Sequence, residues 1–323
     1  EALGTTDWGG VLRGAFSAHP HRVPSRRAHY NFGLRMGRRT RLDFYELPDE
    51  GPARHLTGVA LARPTMIHDF AVTENHLIAF VPPLTIRLPA FLLGLRPLGR
   101  SFAWRPEWGT EVIVVPIDRP REVARFRTEP FWFWHFANAF ERGGRLHADV
   151  VRVADFSHFA GAEGFTRGER GLGDEGRLTR AEIDPAGRRV RFTRPWERGC
   201  DFPRVAPSVE AGPYRYAYVA CHGSPAAAKA RWFDAVARVD VEAGSADVYV
   251  ATAGAVLSEP IFAPDPEGEA EDAGWLLVDV HDPARGESGA LILDARAIDK
   301  GPLASCWYGE PVPLRFHGAW IPT

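Results

Sequence analysis

Short runs rich in Val, Ile, Tyr and Phe, each ended by turn residues, constrain this chain more than any other feature. They include HLIAFVPP (76–83), TEVIVVPID (110–118), HADVVRVADF (147–156), RRVRFTRPW (188–196), YRYAYVAC (214–221), AVARVDVEAG (235–244), ADVYVATAG (246–254), GWLLVDVHDP (274–283) and GALILDARAI (289–298). Most alternate apolar with polar side chains, the period that buries one face of a strand. Turn sequences such as DPAG (184–187), VEAG (241–244) and DPARGESG (282–289) fall between them. Extended helical periodicity is hard to find. Such a chain is all-β, with many short antiparallel strands, and its architecture is a sandwich, a barrel or a propeller. With 323 residues and no linker-like stretch, one propeller domain over 1–323 is the most economical of the three. No WD or kelch repeat is visible.

Composition excludes more than it identifies. Hydrophobic residues make up 45% and charged residues 25%, ordinary values for a soluble globular chain. A formal net charge of −2, with no Lys/Arg block, gives no footing for nucleic acid. Cys200, Cys221 and Cys306 are widely spaced and odd in number. They form neither a zinc pattern nor a disulfide framework, which fits a reducing, cytoplasmic compartment. No apolar run is long enough to span a membrane as a helix. The sequence begins at Glu1 inside what reads as a structured segment, so part of the natural protein is expected to precede it.

One segment breaks the strand pattern. PPLTIRLPAFLLGLRPLG (82–99) carries Leu84, Ile86, Leu88, Phe91, Leu92, Leu93 and Leu95 between prolines and glycines. It reads either as a buried crossover loop or as an apolar patch at a tunnel mouth, in peripheral contact with a membrane or lipid store. Four histidines have distinctive surroundings: His19 in FSAHPHR, His68 in MIHDFAVTEN, His135 in FWFWHFANAFE and His317 in RFHGAWIP. Their separations of 49, 67 and 182 residues follow no local metal-ligand rule, so spacing alone carries no signal. Ligands from separate propeller blades can nonetheless converge on the axis, and imidazole nitrogen suits iron, zinc and copper. Asp69 is expected to bond nearby backbone N–H groups and not a metal. His21, His29, His55, His76, His147, His158, His222 and His281 read as surface or ordinary core residues.

Taken in order, six segments resemble the carotenoid cleavage oxygenase family from one end of the chain to the other. They are EALGTTDWGG with FSAHPHR, IHDFAVTENHLIAF, FWFWHFANAFE, DFPRVAPSVEAGPYRYAYV, SEPIFAPDP with EDAGWLLVDVHD, and PLASCWYGEPVPLRFHGAWIP. A single motif such as HDF is weak, whereas six in order are specific. The resemblance implies a seven-bladed β-propeller, here lacking its N-terminal part, with the apolar segment as an insertion on its top face. It implies Fe(II) held at the axis by His19, His68, His135 and His317. It also implies glutamates that orient three of these rings: Glu259 for His317, the position of Asp201 for His135, and one upstream of Glu1 for His68. Asp201 is one methylene shorter than Glu. It has to reach through a backbone shift or a water, or leave Nδ1–H of His135 to another acceptor. Losing such a partner costs about 10–100-fold in metal affinity or activity.

The chemistry implied by the resemblance is addition of O2 across a conjugated C=C bond of a carotenoid or apocarotenoid, giving two carbonyl products without an organic cofactor. The alternatives are stilbene cleavage within the same family and a non-catalytic propeller that binds an apolar ligand. A polyene needs an apolar tunnel with aromatic walls. In FWFWHF, strand alternation puts Phe131 and Phe133 on the face of His135, with Trp132, Trp134 and Phe136 opposite. The resemblance favours Trp134 instead, and a packed aromatic core is the competing reading for each. Glu141 reads as a structural residue paired with an arginine.

Overall fold

The computed structural model describes residues 4–36, 39–87, 91–95, 98–157, 176–313 and 315–321. Among them lie five four-stranded antiparallel sheets and one small hairpin. The first sheet is β1 (His21–Val23), β2 (Ala28–Arg35), β3 (Arg41–Pro48) and β4 (Arg54–Ala60). The second comprises β5 (Ala71–Val72), β6 (His76–Val81), β9 (Thr110–Pro116) and β10 (Ala124–Thr128). The chain leaves it after β6 to form the hairpin β7 (Leu84–Ile86) and β8 (Phe102–Trp104). The third is β11 (Trp132–Arg142), β12 (Arg145–Val153), β13 (Arg177–Asp184) and β14 (Arg189–Thr193). The fourth is β15 (Cys200–Arg204), β16 (Tyr216–Cys221), β17 (Ala235–Asp240) and β18 (Ser245–Val250). The fifth is β19 (Val256–Pro264), β20 (Gly274–Asp282), β21 (Glu287–Asp294) and β22 (Pro302–Trp307).

The sheets are set side by side around an axis. The first strand of each packs against the first strand of the next, from β1 through β5, β11 and β15 to β19. Burial falls from inside outward. Both residues of β5 are buried and β11 is buried on nearly its whole length, whereas β10 and β14 show alternating exposed positions and β22 is exposed along most of its length. This is the wedge of a propeller blade, and the sequence carries it. Inner strands lose the polar alternation that outer strands keep.

The cores lie between neighbouring sheets. Tyr30, Phe32 and Leu42 of the first sheet meet Leu77, Ile113 and Val115 of the second. Ile78 and Val114 of the second meet Phe133, Ala148 and Ile183 of the third. Val151 and Leu178 of the third meet Val219 and Val239 of the fourth, and Tyr218 of the fourth meets Phe262, Leu276 and Val278 of the fifth. Both faces of a central sheet are therefore covered, and each buried Val, Leu, Ile or Phe removed from water contributes roughly 1.5–3 kcal/mol before entropy is counted.

Two expectations change here. Phe131 and Phe133 are fully buried and pack on Phe80, inside the core between the second and third sheets. Their observed neighbours are core side chains of these two sheets. The pleat argument fails because β11 slips register against β12 between Phe133 and Phe136, so His135 does not share the face of Phe133. The segment 82–99 divides in two. Leu84 is buried with Trp132, Val153 and Phe156, and Ile86 is half-buried. Leu92, Leu93 and Leu95 are 74%, 72% and 72% exposed, and Phe91 is 37% exposed. Leu88 and His158 lie outside the described residues. Among the described residues no helix is long and apolar enough to cross a membrane.

Candidate metal centre

The four singled-out histidines meet at the inner ends of the sheets. His19 stands two residues before β1, and its backbone N–H donates to Ser17 Oγ. Ser17 is itself tied to β2, since its N–H donates to Phe32 O and its carbonyl accepts from Asn31 Nδ2. His68 precedes β5, His135 sits at the irregular stretch of β11, and His317 lies in the segment after β22. One ring nitrogen from each falls within 4.8 Å of the other three. His19 Nε2 and His68 Nε2 are 3.0 Å apart, and His135 Nε2 and His317 Nε2 are 3.2 Å apart.

Hydrogen bonding on the far side of two rings fixes their tautomers. His135 Nδ1 donates to Asp201 Oδ1 at 2.8 Å, and His317 Nδ1 donates to Glu259 Oε1 at 3.1 Å. The shorter Asp201 reaches directly, without a water. β15 makes this possible through a register shift between Asp201 and Arg204, with Phe202 in the left-handed region at φ 52°. Glu259 does more than orient one ring. Its Oε1 also accepts from Arg204 Nε at 2.8 Å, its Oε2 accepts from Gly318 N at 2.9 Å, and Arg204 Nη2 donates to Gly318 O. The segment carrying His317 is thus held to β15 and β19. No hydrogen bond reaches Nδ1 of His68 among the described residues.

The electrostatics suit metal ligation. Burial pushes His19 down to about 4 and His68 down to about 3, with neighbouring imidazoles adding to the effect. Both are neutral at pH 7, with no proton competing for the lone pair. Burial opposes charge on His135, but the carboxylates of Asp201, Asp69 and Glu259 together move that ring upward. Burial likewise opposes charge on Glu259, yet its bonds to His317 and Arg204 hold it below the usual range. It is therefore an ionised acceptor.

A divalent ion fits this donor set. With Nδ1 of His135 and of His317 each directed at a carboxylate, their Nε2 atoms are turned toward one another at 3.2 Å, a separation that a shared cation would satisfy. Two imidazole nitrogens at right angles on one ion, each about 2.0–2.1 Å from it, sit about 3 Å apart.

Two aromatic side chains border the cluster. Trp134 meets His68 edge to face at 4.9 Å. Phe202 packs on His135 at 5.1 Å and on His317 at 5.7 Å. The resemblance points to Trp134, whereas no pattern in DFPR marks Phe202 as a neighbour of the cluster. Asp69 is not one of the converging ligands and does bond backbone, accepting from Phe70 N at 2.7 Å. It also accepts from Phe136 N and from His21, so His21 is more than an ordinary surface or core residue. Glu141 is structural, but its partners are Thr73, Asn75 and His76, and no arginine pairs with it among the described residues.

The family model described as retinal pigment epithelial membrane protein (RPE65) matches residues 1–322. The chain belongs to the RPE65/carotenoid cleavage oxygenase family. It is 30% identical to the apocarotenoid-15,15'-oxygenase of Synechocystis over 330 residues, covering 99% of this chain and 66% of that protein. It is 28% identical to a carotenoid cleavage oxygenase of Mycobacterium tuberculosis over 367 residues, covering 100% of this chain and 71% of that protein. A crystal structure of cobalt-substituted Synechocystis ACO superposes with a TM-score of 0.86 at 28% identity, over 99% of this chain and 68% of that one. The chain thus spans about two thirds of the length of these family members, and the family's β-propeller is the fold seen here.

Proposed function

We propose that this chain carries the metal centre of a non-haem iron dioxygenase that cleaves a conjugated C=C bond of a carotenoid or apocarotenoid. The reaction consumes one O2 and breaks one C=C bond, and each carbon keeps one oxygen atom as a carbonyl. The observation that carries the reading is the convergence of four imidazole nitrogens, with Nε2 of His135 and of His317 3.2 Å apart and a carboxylate behind each of those two rings. Names of relatives at 30% and 28% identity support the substrate class.

His19, His68, His135 and His317 would hold the ion, with Asp201 and Glu259 fixing two of the rings. Four neutral nitrogens leave the charge of the ion uncompensated, and Fe(II) supplies the one-electron chemistry that lets O2 react with a closed-shell alkene. The chain's own task is to aim the imidazoles, exclude bulk water and align the polyene. Trp134 and Phe202 offer aromatic faces beside the cluster for that alignment. Phe91, Leu92, Leu93 and Leu95 form an exposed apolar patch on the β7–β8 insertion, suited to peripheral contact with the lipid phase in which such substrates dissolve.

The test uses the full-length protein, loaded with Fe(II) and given an apocarotenal under 18O2. Two aldehyde or ketone products, both carrying label, are expected, and His68→Ala should abolish iron uptake and cleavage together. Stoichiometric iron and wild-type turnover in His68→Ala would mean the ligand set is wrong.

A further inference from the structure

We infer that Asp69 is a positioning residue for the metal centre: a single buried carboxylate that fixes three of the four histidine-bearing segments to one another. The inference rests on the metal reading above. Asp69 is 1% exposed. Its Oδ1 accepts from Phe70 N at 2.7 Å and from His21 Nε2 at 2.9 Å, and its Oδ2 accepts from Phe136 N at 2.8 Å. Each donor is one or two residues from a histidine of the cluster. His21 follows His19 across Pro20, Phe70 follows His68 across Asp69 itself, and Phe136 is the neighbour of His135.

The bond to Phe136 matters most. β11 loses register with β12 on both sides of Phe136, between Phe133 and Phe136 and again between Phe136 and Asn138. Phe136 still pairs with Val150, but it stands alone in register between two slips, and its buried N–H needs an acceptor. Asp69 supplies it. The bulge is also what separates His135 from the face of Phe133, so the acceptor that stabilises the bulge sets the aim of His135. A carboxylate that only ended its own strand would need Phe70 N–H alone. The other two bonds reach 48 and 67 residues along the chain.

Asp69→Asn in the full-length protein is the direct test. It preserves size and one acceptor oxygen but turns an amide NH2 toward one of the three donors. Cobalt(II) is the probe, its affinity read by competition with a chelator and its geometry by the visible ligand-field bands. The expected result is a loss of about 10–100-fold in affinity with altered bands, while the metal-free variant still unfolds cooperatively. His21→Phe should lose affinity by a smaller factor. The double variant should lose no more than Asp69→Asn, because His21 acts through Asp69.

If Asp69→Asn does not fold, His21→Phe carries the test, and wild-type affinity and bands in it overturn the inference. The inference is also overturned if Asp69→Asn binds cobalt as tightly as the wild type with the same bands, whatever its thermal stability, or if the two losses add. A wild-type protein that takes up no cobalt sinks the metal reading, and this inference with it. Equal binding by wild type and Asp69→Asn sinks the positioning role alone.

Discussion

Asp201 reaches His135 because the backbone yields, not because the side chain is long enough. Phe202, in the left-handed region, is the visible cost, and such a conformation in a non-glycine residue is held only by its surroundings. The charge on Asp201 should then matter more than its length. Asp201→Asn is expected to weaken cobalt binding by about 10–100-fold, and Asp201→Glu by less, as read by metal titration. The reverse order would mean that His135 does not depend on this carboxylate. Phe133 belongs to the core between two sheets, so Phe133→Ala should cost about 3–5 kcal/mol of stability in urea denaturation and leave the cleavage position unchanged. A shifted product would instead restore Phe133 to the tunnel wall. The four imidazoles and two carboxylates were legible in the sequence only through the motifs around them, since their separations obey no local rule. Phe202 was not legible. Its role comes from two rings brought beside it by the fold, and nothing in DFPR records that meeting.

Among the elements, outer strands were read most directly. β14 alternates in burial throughout, and β18 over its first four residues, as their sequences alternate in polarity. β11 could not be read that way, because it is buried on both faces and bulged where it carries His135. The 82–99 segment offered two readings, and its parts differ: Leu84 is core, whereas Leu92, Leu93 and Leu95 are exposed. Each of those side chains, fully inserted into lipid, contributes roughly 1.5–3 kcal/mol. Changing Phe91, Leu92 and Leu93 together to Ser should therefore release the protein from liposomes and slow cleavage of membrane-dissolved carotenoid. Cleavage of a short, detergent-dispersed apocarotenoid should hold steady. Equal loss on both substrates, with easier unfolding, would make the whole segment structural.

At the scale of the molecule, the candidate ligands come from the segments that lead into β1 and β5, from β11 and from the segment after β22, so a bound ion would join parts far apart in the chain. Metal at a hundredfold excess over its dissociation constant stabilises the folded state by about 2.7 kcal/mol. Chelation should lower the melting temperature and speed proteolysis around 315–321, where His317, Gly318, Glu259 and Arg204 hold the chain. A melting temperature indifferent to chelator would mean that the histidines do not share an ion.

The sheets themselves are made almost wholly of hairpins between strands adjacent in sequence. Their loops close over short distances, whereas His135 and His317 meet only across 182 residues. Short closures are entropically cheap and come early, and long ones come late. The fold can thus be largely assembled before its centre exists. Interactions that form after the rate-limiting barrier leave the folding rate nearly unchanged and act on the rate of coming apart. An ion bound there would then act as a brake on unfolding: it would govern how long a finished molecule lasts, not how quickly one is made.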